Sequence, residues 1–161
     1  DQLIRLSGKY GNDAFFFSYN NPAYIIQRSM IPFPIENSRR WKVFIFDPQI
    51  YLAEHKTKEV LNRKIPINLN YVDKKEIIRV WNNGDLRLIN ESLHNFITVE
   101  IVPEYDKAYK IASDVYQLTG YNPKFTGSGP CMILIVNESL ERCLSIYCKK
   151  NNIKFYVAEI L

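Results

Sequence analysis

Phe125-Thr126-Gly127-Ser128-Gly129-Pro130-Cys131-Met132-Ile133-Leu134-Ile135-Val136 is the stretch on which the fold turns. A short glycine loop runs into an apolar, β-branched run that reads as a buried strand. Two glycines around a serine let successive backbone N–H groups point into one concavity. Such a nest binds anions, phosphate above all. The same glycines also have a plainer reading, a change of direction between a helix and a strand. Two common phosphate loops are excluded by context. A Walker loop follows a strand, opens a helix and carries Gly-Lys-Ser/Thr, and a dinucleotide-binding loop needs G-x-G-x-x-G. Here the loop is expected to follow a helix and open a strand, and Pro130, not lysine, follows Gly129.

Working outward, Pro103 suits the first turn of a helix whose apolar stripe is Ala108, Ile111, Ala112, Val115 and Leu118. Gly120 stops it. After the loop and its strand, Glu138 to Lys150 reads as a helix and Ile153 to Val157 as the last strand. Upstream, Trp41 to Phe46 is a strand ended by Asp47-Pro48. Lys56 to Asn62 is a short helix behind a Thr57 cap, and residues 63–72 are irregular. Asp73 to Trp81 is a helix with Ile77, Ile78 and Trp81 on one face, and Asn83-Gly84-Asp85 starts another that carries Leu86, Ile89 and Leu93. Residues 1–9 read as a helix end stopped by Gly8 and Gly11. Ala14 to Tyr19 and Ala23 to Gln27 read as a hairpin about Asn20-Asn21-Pro22, followed by a loop at Ile31-Pro32-Phe33-Pro34.

The 161 residues are enough for one domain that buries roughly two-thirds of its unfolded surface. Hydrophobic content of 47% against 24% charged residues is that of a globular protein. The net charge of +4 is spread over separate pairs such as Arg39-Arg40, Lys74-Lys75 and Lys149-Lys150, which argues for solvated faces and against a nucleic-acid stripe. No apolar run reaches the ~18 residues of a membrane span. Cys131, Cys143 and Cys148 are odd in number and lack a C-x-x-C pair, so reduced thiols are expected rather than a disulfide frame or a zinc site. His55 and His94 are too far apart for a paired metal motif.

Two further positions can carry chemistry. Asp13 lies in Gly11-Asn12-Asp13, just ahead of Ala14-Phe15-Phe16-Phe17. A carboxylate at the lip of an aromatic strand is partly desolvated, which raises its pKa and suits a general base. Its alternative is a turn aspartate bonded to local backbone. His94-Asn95 ends a helix, where a cap or a hydrogen-bonded orienting pair is expected.

Together these residues resemble the latter half of the GHMP small-molecule kinases. Gly11-Asn12-Asp13-Ala14-Phe15-Phe16 is similar to the family's G-A-D-V-P-F-F segment, which carries the catalytic base. His55-Lys56-Thr57-Lys58-Glu59-Val60, after Asp47-Pro48, resembles its V-S-T-K-E-A segment near the cytidine site. Asp85-Leu86 with Leu93-His94-Asn95 resembles its N-D-L helix, and Thr126-Gly127-Ser128-Gly129-Pro130 resembles its third motif, M-S-G-S-G. Within the family the likeness is greatest to the branch that phosphorylates 4-diphosphocytidyl-2-C-methyl-D-erythritol in non-mevalonate isoprenoid synthesis. The chain departs from that branch at Phe15 (usually proline), Lys56 (serine) and Leu61 (aromatic).

The resemblance implies an α+β fold. Residues 41–161 would form the family's C-terminal domain, a ferredoxin-like two-layer sandwich, and residues 1–40 the tail of its N-terminal domain. It implies Asp13 as the catalytic base, Thr57 and Lys58 at the substrate, and Gly127, Ser128 and Gly129 at the phosphate edge, with no metal ligand among them. ATP and magnesium are the implied cofactors. The implied partners are the cytidine-diphosphate methylerythritol substrate and the N-terminal half of the same enzyme, with no nucleic acid or membrane. The family's glycine-rich ATP loop has no counterpart here, so the chain reads as a C-terminal piece, inactive on its own. Its Asn, Lys, Ile and Tyr bias fits an AT-rich genome, hence a bacterial cytoplasm or a plastid-type organelle. A non-catalytic α+β binding module is the alternative reading.

Overall fold

The computed structural model of the chain describes residues 23–25, 32–34, 41–51, 56–63, 74–95, 97–98 and 101–160. The readings at residues 1–9, at Asp13 and at Ala14 to Tyr19 lie outside the described residues. Two short strands, β1 (Ala23–Ile25) and β2 (Pro32–Pro34), pair antiparallel with Tyr24 opposite Phe33. The expected loop at Pro32–Pro34 is therefore a strand. Prolines at alternate positions leave the Phe33 amide to the ladder, and a two-stranded ribbon tolerates the N–H groups they lack.

The main sheet has four strands in the order β4-β5-β3-β6, every neighbouring pair antiparallel. These are β3 (Lys42–Asp47), β4 (Lys124–Phe125), β5 (Met132–Val136) and β6 (Lys154–Glu159). Among the described residues five helices accompany them: α1 (Lys56–Leu61), α2 (Lys74–Asn83), α3 (Leu86–Ser92), α4 (Asp106–Thr119) and α5 (Glu138–Lys150). With α1–α3 set between β3 and α4, the path β3-α4-β4-β5-α5-β6 is the split βαβ arrangement of a ferredoxin-like sandwich. The fold is α+β, as the sequence predicts.

Alternation in the strands builds the layers. Phe44, Phe46, Met132, Leu134 and Val136 are fully buried on one face, packed with Ile111 and Val115 of α4 and Leu144 and Cys148 of α5. Phe155 of β6 stacks on Phe44 with ring centroids 5.0 Å apart. Ile135 and Val43 point to the opposite face, where Trp41, Val80 of α2 and Ile89 of α3 cover one end of the sheet. Trp81 meets Trp41 edge to face at 6.2 Å. The α2–α3 pair thus adds a partial third layer to the expected two.

Helix ends follow local chemistry. Asp85 caps α3 by accepting the N–H groups of Arg87 and Leu88, and Asn137 caps α5 by accepting that of Leu140. Glu138 and Glu141 sit in the first turn of α5, and Lys149 and Lys150 in its last turn, complementing the helix dipole. Gly120 closes α4 at φ 75°, a left-handed conformation that favours glycine. Lys42 and Glu141 form an ion pair at 2.8 Å between β3 and α5.

One expectation about order is corrected. The glycine loop does not follow a helix directly, because Lys124 and Phe125 first pair with Ile133 and Met132 as β4. Two residues are too few to show strand alternation, so this strand exists only through its partner. The glycine segment is therefore the tip of a β-hairpin.

Candidate functional site

The hairpin tip spans Thr126 to Cys131. The Thr126 N–H donates to the Cys131 carbonyl at 2.9 Å, and the Gly129 N–H donates back to the Thr126 carbonyl at 2.8 Å. Gly127 and Gly129 hold φ at 50° and 73°, and the Gly129–Pro130 peptide is cis. Gly129 is doubly constrained, since a Cβ there would lie 2.5 Å from Cε2 of Tyr105. At Gly127 a Cβ would meet nothing within 4 Å. The expected nest is thus changed in one respect: the Gly129 amide is engaged within the turn.

Two side chains from outside the hairpin fix its shape. Tyr105, fully buried at the end of a 3₁₀ turn (Pro103–Tyr105), donates its hydroxyl to the Ser128 carbonyl at 2.7 Å. Burial, and then the neighbouring Glu104 carboxylate, raise its phenol above the ordinary 10, so it remains a donor through neutral pH. Asn95 lies three residues beyond α3. Its Nδ2 donates to the Phe125 carbonyl at 2.8 Å and the Gly127 carbonyl at 3.0 Å, and its Oδ1 accepts the Ile97 N–H at 3.0 Å. Of the His94-Asn95 pair, the asparagine orients the backbone and His94 is exposed.

The support for Tyr105 reaches α1. Just past that helix, Arg63 donates to both carboxylate oxygens of Glu104, at 2.8 and 2.6 Å, and to the Ile101 carbonyl at 2.8 Å. This fork holds the Glu104 carboxyl down at about 2, mainly through the hydrogen bonds from Arg63 and then through a backbone bond. Val60 of α1 is buried in the same cluster as Tyr105 and Phe125. The helix that carries Thr57 and Lys58 is thereby joined to the hairpin through one apolar cluster and one ion pair.

Lys58 is exposed on α1, and Thr57 lies within that helix, which begins at Lys56, instead of capping it as expected. Asp13 lies outside the described residues. Lys124, at the foot of the hairpin, is half-buried, and desolvation lowers its pKa. Burial pushes the Cys148 thiol up to about 12, whereas Cys143 is exposed, and none of the three cysteines is in a disulfide. Among the described residues no group of three or more His, Cys, Asp or Glu side chains could hold a metal ion. No helix among them is long and apolar enough to cross a membrane.

No protein-family model and no curated protein matches this sequence. The structure is similar to that of a homoserine kinase from Cytophaga hutchinsonii ATCC 33406, with a TM-score of 0.50 at 15% sequence identity. The match covers 81% of this chain and 44% of that kinase, so the chain spans less than half the length of that protein. At this identity the likeness is one of fold, and it is the α+β fold that the sequence predicts.

Proposed function

We propose that this chain is the C-terminal portion of an ATP-dependent GHMP-type kinase acting on an alcohol. The observation that carries the reading is the glycine hairpin between the second and third strands of a ferredoxin-like sandwich, pinned by Asn95 and Tyr105. Homoserine kinase, whose fold this chain shares, is itself a GHMP kinase, which supports the class. The finer assignment is to 4-diphosphocytidyl-2-C-methyl-D-erythritol, with transfer to its 2-hydroxyl, and it rests on the motif resemblance alone. Phosphoryl transfer needs mostly positioning and charge stabilisation. In this reading Asp13 accepts the hydroxyl proton, Thr57 and Lys58 contact the substrate, and the Gly127–Gly129 hairpin borders the phosphates. ATP supplies the phosphoryl group, and magnesium accompanies it.

A non-catalytic binding module is the second reading, favoured by the engagement of the Gly129 amide inside the turn. Reconstitution separates the two. The 161-residue chain should bind no Mg-ATP at millimolar ligand. Together with the N-terminal half of the kinase it should transfer phosphate to 4-diphosphocytidyl-2-C-methyl-D-erythritol, and Asp13→Asn should lower kcat by at least ~100-fold. Unchanged turnover in that variant removes Asp13 from the mechanism. No transfer to this alcohol or to homoserine removes the kinase reading.

A further inference from the structure

We propose that Asn95 is a positioning residue for the phosphate donor, one that keeps the hairpin's carbonyls turned away from the anion. The inference rests on the kinase reading above. A peptide group is planar, and its C=O and N–H point in opposite directions. In an isolated hairpin tip the Gly127–Ser128 peptide can flip by counter-rotation of Gly127 ψ and Ser128 φ, which the missing Cβ of Gly127 eases on its side. Flipped, it would aim a carbonyl dipole at a phosphate bordering the tip, which repels an anion. Here the Gly127 carbonyl is held by Asn95 Nδ2 at 3.0 Å and the Ser128 carbonyl by the Tyr105 hydroxyl at 2.7 Å. Two consecutive carbonyls are thus drawn inward by donors from other elements.

Asn95 is suited to this as few side chains are. Both amide hydrogens are used, one on the Phe125 carbonyl at the end of β4 and one on the Gly127 carbonyl at the tip. Its oxygen takes the Ile97 N–H at 3.0 Å, which fixes the amide against rotation. The donor that sets the tip is therefore itself set by the segment leaving α3. A group arranged in advance costs no reorganisation when the charged ligand arrives.

Asn95→Asp tests the idea with little change in shape. It keeps the acceptor for Ile97 and replaces the donor with a charged oxygen facing two carbonyls. Phosphoryl transfer is measured with the two halves combined, with 4-diphosphocytidyl-2-C-methyl-D-erythritol and homoserine as alcohols. The expected result is a rise of about tenfold or more in KM for Mg-ATP, the scale of ~1.4 kcal/mol, with KM for the alcohol unchanged. A merely structural role would lower the active fraction, and so kcat, and leave both KM values alone. That outcome, or no kinetic change, overturns the inference while the kinase reading stands. Absence of transfer by the unsubstituted protein overturns both. Should Asn95→Asp not fold, Asn95→Ala removes the donor without adding charge and is judged by the same ratio of KM values.

Discussion

Asn90 and Asn95 lie five residues apart, and each uses its side-chain amide to bond backbone groups of the β4-β5 hairpin. Asn90, on α3, is buried. Its Oδ1 accepts the Ile135 N–H at 2.8 Å, and its Nδ2 donates to the Ile135 carbonyl and the Leu86 carbonyl, each at 2.9 Å. β4 pairs with Ile133 and Met132, so among the described residues no strand lies beside the outer edge of β5 at Ile135. The Asn90 amide completes the ladder there. Asn95 does comparable work at the other end of the same hairpin, but it is half-exposed and serves a glycine tip. The same chemistry thus has different consequences. At Ile135 water cannot replace the amide, so its loss is a stability cost. At Gly127 water can, so its loss changes shape more than stability.

The largest expected effect tests the first half of that contrast. Asn90→Leu should leave the Ile135 N–H and C=O unpaired in an apolar setting and destabilise the fold on the order of 3 kcal/mol. Asn95→Leu should cost only about 1 kcal/mol. Urea unfolding of both variants measures the difference, and equal midpoints would erase the distinction.

Next comes the tip itself. Gly129→Ala combines a positive φ with a clash against the Tyr105 ring and should cost about 2 kcal/mol. Gly127→Ala meets open space and should cost about 1 kcal/mol from its φ alone. If thermal unfolding shows the two variants equally affected, Tyr105 does not define the inner wall of the tip.

The smallest expected effect concerns the support behind Tyr105. The Glu104 carboxyl is depressed in the folded chain from an ordinary 4.5 to about 2, chiefly by the Arg63 hydrogen bonds. Its contribution to stability is therefore present above pH 4.5 and lost as pH falls towards 2. Arg63→Met should flatten that part of the acid-stability profile, which is small because both side chains reach solvent. An unaltered slope in urea midpoints between pH 5 and pH 2 would detach the pair from the fold's stability.

Local chemistry fixed most of the elements before any contact was known. The alternation in Lys42–Asp47, the Asp85 and Asn137 caps and the Gly120 stop each act within a few residues, so they are legible along the chain. The glycine tip was legible for the same reason, as glycines mark positive φ wherever they fall. Other features depend on partners far away in sequence. Lys124–Phe125 is a strand because Met132 and Ile133 lie beside it. Pro32–Pro34 is a strand because Ala23–Ile25 pairs with it. The functions of Asn90, Asn95, Tyr105 and Arg63 follow only from what is brought against them, 45, 32, 23 and 41 positions away. A hydrogen bond gains its value from the burial and geometry of both ends, and a sequence shows one end at a time. By itself the sequence determined the α+β class, the five helices and the strands β3, β5 and β6 among the described residues, and the glycine tip. The tertiary structure alone decided that the tip closes a hairpin, that its carbonyls face inward, and that two asparagines of one type serve unlike ends.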